Sequence, residues 1–239
     1  MEIGITERGD AALDLDWVPW VERGKPAILI TKDPQRLHRL LQDLFNGIVI
    51  DKPRHEIVEG IIVHATITGY GGTVLEPHVP KPSDALEGYE ELCKLLGFDR
   101  VVLRVDPVIP TDEGIKIAKA ILERQKFIHS RARISFIDNY THVKERLKAA
   151  GTGLPWESFH APLELRKRAW EELGKPETCG EPGFECCGCV SEVDCGLFGI
   201  DPLLALRGQR KFCSCLANKT ELLSNRKPCP HGCLYCYWK

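Results

Sequence analysis

The chain has 239 residues, with 32 Lys and Arg against 34 Asp and Glu, for a formal net charge of −2. Hydrophobic residues at 43% and charged residues at 28% are ordinary for a globular protein and exclude disorder for the bulk of the chain. The balanced charge gives no support to nucleic-acid binding through net charge, and no apolar run approaches the roughly 18–20 residues of a membrane span. The opening residues lack the basic and apolar regions of a signal peptide, so the expectation is a cytoplasmic protein with no membrane partner.

Short apolar runs alternate with stretches of helical spacing. Ile3 to Glu7 is the first candidate strand, and Ala27 to Lys32 the second, stopped by Asp33-Pro34. Leu37, Leu40, Leu41, Leu44 and Phe45 then repeat as on one helix face. Ile61 to Thr68 is a third strand, ended by Gly69-Tyr70-Gly71-Gly72. Tyr89, Leu92, Cys93 and Leu96 mark a helix that Gly97 closes. Val101 to Val105 is a fourth strand, followed by a helix through Ile117, Ile121 and Leu122. Arg133 to Ile137 is a fifth, with helices to follow around Val143 to Leu147 and from Leu163 to Leu173. Strands alternating with helices imply βαβ units and a parallel sheet. The expected fold is therefore α/β, a partial (β/α)6 TIM-like barrel, with a doubly wound sheet as the alternative.

Polar residues gather where these strands end: Thr6-Glu7-Arg8, Thr31-Lys32-Asp33, Thr66 and Thr68, Arg104 and Asp106, Ser135 and Asp138. In parallel α/β folds the ligand site lies at that edge. Arg104 and Asp106 share one face of their strand. They form either a structural ion pair or a wall of the site.

Eleven cysteines break the ordinary pattern, since ten of them fall between Cys179 and Cys236. In a reducing compartment, clustered thiols bind metal more often than they form a disulfide framework. The chain thus divides into a barrel body, 1–175, and a cysteine-rich extension, 176–239. The extension ends in Cys229-Pro230-His231-Gly232-Cys233-Leu234-Tyr235-Cys236-Tyr237. Three thiolates on one short loop can hold three irons of a [4Fe–4S] cluster and leave the fourth iron open. An open iron can bind S-adenosylmethionine (SAM). The competing reading is a closed zinc site that joins Cys233 and Cys236 to a distant pair such as Cys213 and Cys215.

The terminal spacing resembles that of the radical SAM superfamily, although there it usually follows the first strand. Further segments resemble, in order, a permuted radical SAM-like family of unknown function found in bacteria and phages. These are Ile5 to Asp10, Ile30 to Pro34, Thr66 to Tyr70 with Leu75-Glu76-Pro77, Leu103 to Ile109, Ser135 to Tyr140, and Gln209 to Cys215. That family is similar to spore photoproduct lyase-like radical SAM proteins. The chain departs from it at Glu7 to Asp10, at Thr220 to Asn225, and in an expanded stretch from Cys179 to Cys195.

The resemblance implies a circularly permuted barrel with its cluster on Cys229, Cys233 and Cys236. Thr66, Thr68 and Gly71 are the expected SAM contacts. Arg104, Asp106 and Asp138 are the expected catalytic wall facing substrate or cofactor. Cys213 and Cys215, then Cys195, Cys187 and Cys189, are candidate ligands of an auxiliary iron–sulfur cluster or zinc. The expected activity is reductive cleavage of SAM to a 5′-deoxyadenosyl radical acting on an unidentified substrate, with a nucleobase or modified DNA among the candidates. A reducing partner such as flavodoxin or ferredoxin is implied. Arg207, Arg210 and Lys211 would meet such a partner or a phosphate, or else form a solvated face. His64 is expected as a satisfied inner histidine, and Cys93 as a core residue. The rival functions are a zinc-stabilised binding module and an iron–sulfur electron carrier or sensor.

Overall fold

The computed structural model describes residues 2–46, 54–202, 213–216, 219–223 and 228–238. Its strands are β1 (Ile3–Ile5), β2 (Ala27–Thr31), β3 (Ile61–Thr66), β4 (Val101–Val108), β5 (Arg131–Phe136), β6 (Glu177–Thr178) and β7 (Lys219–Glu221). The helices are α1 (Val18–Glu22), α2 (Pro34–Phe45), α3 (Arg54–Glu59), α4 (Pro82–Leu96), α5 (Asp112–Ile128), α6 (Thr141–Ala149), α7 (Leu163–Glu172) and α8 (Glu192–Leu197). The strands form one sheet in the order β6-β5-β4-β3-β2-β1-β7. Every paired neighbour runs parallel. The result is an α/β fold whose sheet curls in the manner of a partial barrel.

The helices start and stop where local chemistry dictates. Pro34 opens α2, and the Asp33 side chain accepts from Arg36 N at 3.0 Å, satisfying a free helix-end donor. Thr111 caps α5 in the same way, through Gly114 N at 3.2 Å. Gly97 ends α4 at φ 95°, a conformation that costs a residue with a Cβ. At Gly88 of α4 a Cβ would strike the backbone of Pro34 and Gln35, so glycine permits the close crossing of α2 over α4.

Alternation along the strands sorts the core into two faces. Leu29, Val63, Ala65, Leu103, Val105 and Ile134 point outward and pack under α2, α4, α5 and α7. Each such fully buried aliphatic side chain contributes about 1.5–3 kcal/mol. The inner face carries Ile3, Ile5, Ile28, Ile30 and Ile62. The cysteine-rich extension covers them with Cys179, Cys189, Val190, Cys195, Cys215 and Leu216. The extension also supplies a strand to each edge of the sheet, β6 beside β5 and β7 beside β1. Among the described residues no helix is long and apolar enough to cross a membrane.

His64 lies on the inner face of β3 and is fully buried, yet neither ring nitrogen has a hydrogen-bond partner among the described residues. This differs from the satisfied histidine that the strand pattern suggests. Burial, together with the charges of Arg133, Arg104 and Arg131, drives its pKa well below the ordinary 6.5 and keeps the ring neutral. Below pH 6.5 the unfolded chain binds a proton that the folded one refuses, so stability falls as pH falls. The slope from this one residue is about 1.4 kcal/mol per pH unit. His64→Leu should remove that slope. Urea unfolding of both proteins at pH 7 and pH 5 checks it: the variant gains on the wild type at pH 5, and an unchanged difference refutes the assignment.

Candidate functional site

The carboxyl ends of the strands open onto a cavity of about 230 Å³. Glu7 follows β1, Lys32 follows β2, Thr66 ends β3, Arg104 and Asp106 lie in β4, and Ser135 lies in β5. All of them line the cavity. So do Cys229, Cys233 and Cys236 of the terminal loop, which follows β7 through residues outside those described. Parallel α/β sheets place ligands at this edge because successive loops converge there.

The terminal loop is held by residues from distant parts of the chain. Gly232 takes φ 65° at its turn. Leu234 N donates to Leu75 O at 3.0 Å, and His78 N donates to His231 O at 3.3 Å. His231 Nε2 lies 2.7 Å from Asp10 Oδ2. Asp10 also accepts from Thr31 Oγ1 at 2.6 Å, Lys32 N at 2.7 Å and Ala12 N at 2.9 Å. Burial opposes ionisation of Asp10, but His231, Thr31 and the Lys32 amide outweigh it and hold the carboxyl below its usual range. Burial likewise opposes charging of His231, and Asp10 outweighs it in raising the pKa.

A second anchor joins Lys32, Glu76 and Tyr235. Lys32 Nζ donates to Glu76 Oε1 at 2.8 Å and to Tyr235 OH at 2.9 Å, and Tyr235 OH donates to Glu76. Glu76 is 1% exposed. Burial works against the charge on Lys32, yet Glu76 and the neighbouring Cys233 raise its pKa overall. On the outer side, Arg146 donates to Cys236 O, and the Tyr237 ring lies 6.3 Å from that of Tyr140.

The opposite wall is ionic. Arg104 pairs with Asp106, which also accepts from Ser135 Oγ. Asp138 Oδ1 lies 2.8 Å from His160 Nδ1. Glu181, 4% exposed, accepts from Phe136 N at 2.7 Å and from Arg166 at 3.3 Å. Its pKa is pushed up to about 7, chiefly by burial, with Asp138 and Asp106 adding to the rise against Phe136 N and Arg166. A proton is therefore available on this carboxyl near neutral pH.

Of the residues singled out in the sequence, Thr66, Arg104, Asp106, Asp138, Cys229, Cys233, Cys236 and Cys189 line the cavity. Thr68 and Gly71 do not. Thr68 Oγ1 donates to Glu76 Oε2 at 2.7 Å, and Gly71 packs against Pro80 O, where a Cβ has no room. Cys187 Sγ accepts from Arg133 at 3.1 Å, and Cys195 is buried in α8. Cys93 is buried in the outer core. Arg207, Arg210 and Lys211 lie outside the described residues. Lys32, just past the end of β2, lines the cavity as its strand-end position suggests, and Glu181, Asp10 and Cys179 join the site from the structure.

Among the described residues no three His, Cys, Asp or Glu side chains converge into a ready-made ion site. The donor set on the terminal loop fits a larger group. A cubane binds each thiolate through a different iron, so its ligands surround a space rather than meet at a point. The three thiols share one pinned loop and line the cavity, with Lys32 near Cys233, so this donor set could hold such a group.

Fold and site together define an α/β protein with a parallel, curled sheet and a cysteine-bearing cavity at its carboxyl edge. The chain belongs to the family described as "Domain of unknown function (DUF1848)", whose model matches residues 28–238. None of the curated proteins matches it.

Proposed function

We propose that the chain is a radical SAM enzyme with a circularly permuted barrel, holding a [4Fe–4S] cluster on Cys229, Cys233 and Cys236. One observation carries this reading: the three cysteines sit on a loop pinned over the cavity at the carboxyl edge of a parallel sheet. The bound cluster supplies reductive cleavage of SAM to methionine and a 5′-deoxyadenosyl radical, which takes hydrogen from a substrate.

The sheet order supports the permuted form. The last strand among the described residues, β7, pairs in parallel beside the first, β1. In chain order the cysteine loop follows β7, the strand beside β1, as the superfamily's cluster loop usually follows the first strand of the unpermuted order. The chain's own residues fix and shield the site. Asp10 and His231 hold one end of the loop, Lys32 and Glu76 hold Tyr235, and Tyr140 with Tyr237 covers the outer side. Arg104 and Asp106 present a fixed pair of charges to a polar ligand, and Glu181, its pKa raised to about 7, can exchange a proton beside Asp138. The substrate class stays with the resemblance, as a nucleobase or modified DNA, and flavodoxin or ferredoxin is the class of electron donor.

The test is anaerobic reconstitution with iron and sulfide, reduction, and EPR with and without SAM. The expected result is a reduced [4Fe–4S] signal that shifts on adding SAM, with 5′-deoxyadenosine released. A cluster signal indifferent to SAM points to an electron carrier or sensor instead. A colourless protein that takes up zinc alone points to a binding module.

A further inference from the structure

The inner face of the sheet carries a second group of cysteines apart from the terminal loop. Cys179 Sγ and Cys189 Sγ lie 3.5 Å apart. The Cys189 thiol also meets that of Cys215, which in turn meets that of Cys213. Four sulfurs from three separate segments thus form one continuous chain of contacts. All four cysteines are unbridged, and Cys179, Cys189 and Cys215 are buried.

The surroundings are built for this approach. Gly188 lets the two loops touch, since a Cβ there would lie 2.5 Å from Cys215 Cα and from Ser214 O. Leu216 N donates to Val190 O at 3.0 Å, tying the segments together. Cys189 N donates to Cys215 Sγ at 3.0 Å. A backbone amide aimed at sulfur orients and stabilises a thiolate, as outer contacts do around metal ligands. Arg104, Arg133 and Lys219 act electrostatically on these sulfurs. Arg133 is fully buried. Such cations suit a centre of net negative charge, which a divalent metal with four thiolates has.

We propose that Cys179, Cys189, Cys213 and Cys215 form a mononuclear tetrathiolate zinc site. With Zn–S bonds of about 2.3 Å, tetrahedral sulfurs stand about 3.8 Å apart, close to the spacing of Cys179 and Cys189. A cubane would hold its thiolates farther apart, because each binds its own iron. The sulfurs are strung in a row rather than closed on one point, so taking up the ion requires the thiols to rotate about Cα–Cβ. Four protein ligands leave no open position, which makes the role structural. The site staples the cysteine-rich extension to the inner face and fixes the cavity wall through Cys179 and Cys189. This assignment does not rest on the radical reading of the terminal loop.

The test uses the full chain, purified without iron reconstitution, and a Cys229→Ala/Cys233→Ala/Cys236→Ala variant. Metal analysis should find about one zinc per chain in both, and zinc-edge X-ray absorption should find about four sulfurs at about 2.3 Å. Cys179→Ser/Cys189→Ser should lower zinc about tenfold, while Cys187→Ser and Cys195→Ser retain it. If the double variant does not fold, mass-mapped alkylation of the wild type decides. Cys179, Cys189, Cys213 and Cys215 should be protected together and become reactive together after chelation. Loss of zinc in the triple variant overturns the proposal. So does full zinc in a folded double variant, iron with acid-labile sulfide on these cysteines, or a metal-free Cys179–Cys189 disulfide.

Discussion

Cys233→Ala should abolish formation of 5′-deoxyadenosine from SAM and leave reconstituted protein short of cluster iron. The buried thiol of Cys233 lies in the middle of the three-cysteine loop, beside Lys32 and Glu76. Burial lifts its pKa to about 12 despite the nearby Lys32 charge, so a bare thiolate is disfavoured there. An iron ligand offsets that cost by taking the charge. Removing the side chain therefore removes the bond that would carry that charge. Outer contacts around a metal typically change affinity or activity by about 10–100-fold, and loss of a direct ligand should exceed about a hundredfold. Cys229→Ala and Cys236→Ala should behave alike. Cys93→Ala, in the outer core, should retain iron and turnover. Iron content and SAM cleavage in parallel decide this, and a Cys233→Ala protein with wild-type values of both would sink the cluster assignment.

Lys32→Met should cost about 3–5 kcal/mol of stability, the range for breaking one half of a buried ion pair. Lys32 Nζ sits 2.8 Å from Glu76 Oε1, and Glu76 is 1% exposed. Without the ammonium, Glu76 keeps only hydroxyl donors, from Thr68 and Tyr235, among its described hydrogen bonds. Neutral donors do not replace a charge in a buried site. The damage reaches the terminal cysteine loop because Tyr235 lies between Cys233 and Cys236 in the chain. Lys32→Met should therefore also lower iron uptake. The double variant Lys32→Met/Glu76→Gln should recover most of the stability, since it removes both charges. Urea unfolding of the wild type, Lys32→Met, Glu76→Gln and the double variant gives the coupling. A loss below about 1 kcal/mol in the single variant would class the pair with exposed ones and refute the argument.

Much of this molecule is written locally. The runs Ala27 to Thr31, Ile61 to Thr66 and Val101 to Val105 are mostly apolar and buried on both faces, which suits a covered parallel strand. The Cys229, Cys233 and Cys236 spacing needs no tertiary knowledge, since the ligands share one loop. Arg104 and Asp106 follow from strand periodicity. Short strands escape such reading. β6 has two residues and β7 three, and neither carries a pattern of its own.

The auxiliary cysteines mark where local reading stops. Sequence order favours Cys213 and Cys215 with Cys187, Cys189 and Cys195. The sulfur contacts instead take Cys179, because the turn after β6 delivers it to the inner face opposite Cys189, while Cys187 turns to Arg133. Cys195, on α8, packs on the same inner face without a sulfur contact among those described. Thr68 and Gly71 go the same way: both follow a strand end, and both are spent on holding Glu76 and the turn. Periodicity and motif spacing report on residues a few positions apart, so they determine elements, the outward core and the terminal loop. The pairing of His231 with Asp10 spans 221 positions, and that of Tyr235 with Glu76 spans 159. Such contacts exist only after the sheet has curled and the extension has packed against its inner face. Tertiary packing alone decides which polar groups share the cavity, which of them are charged, and which four sulfurs meet.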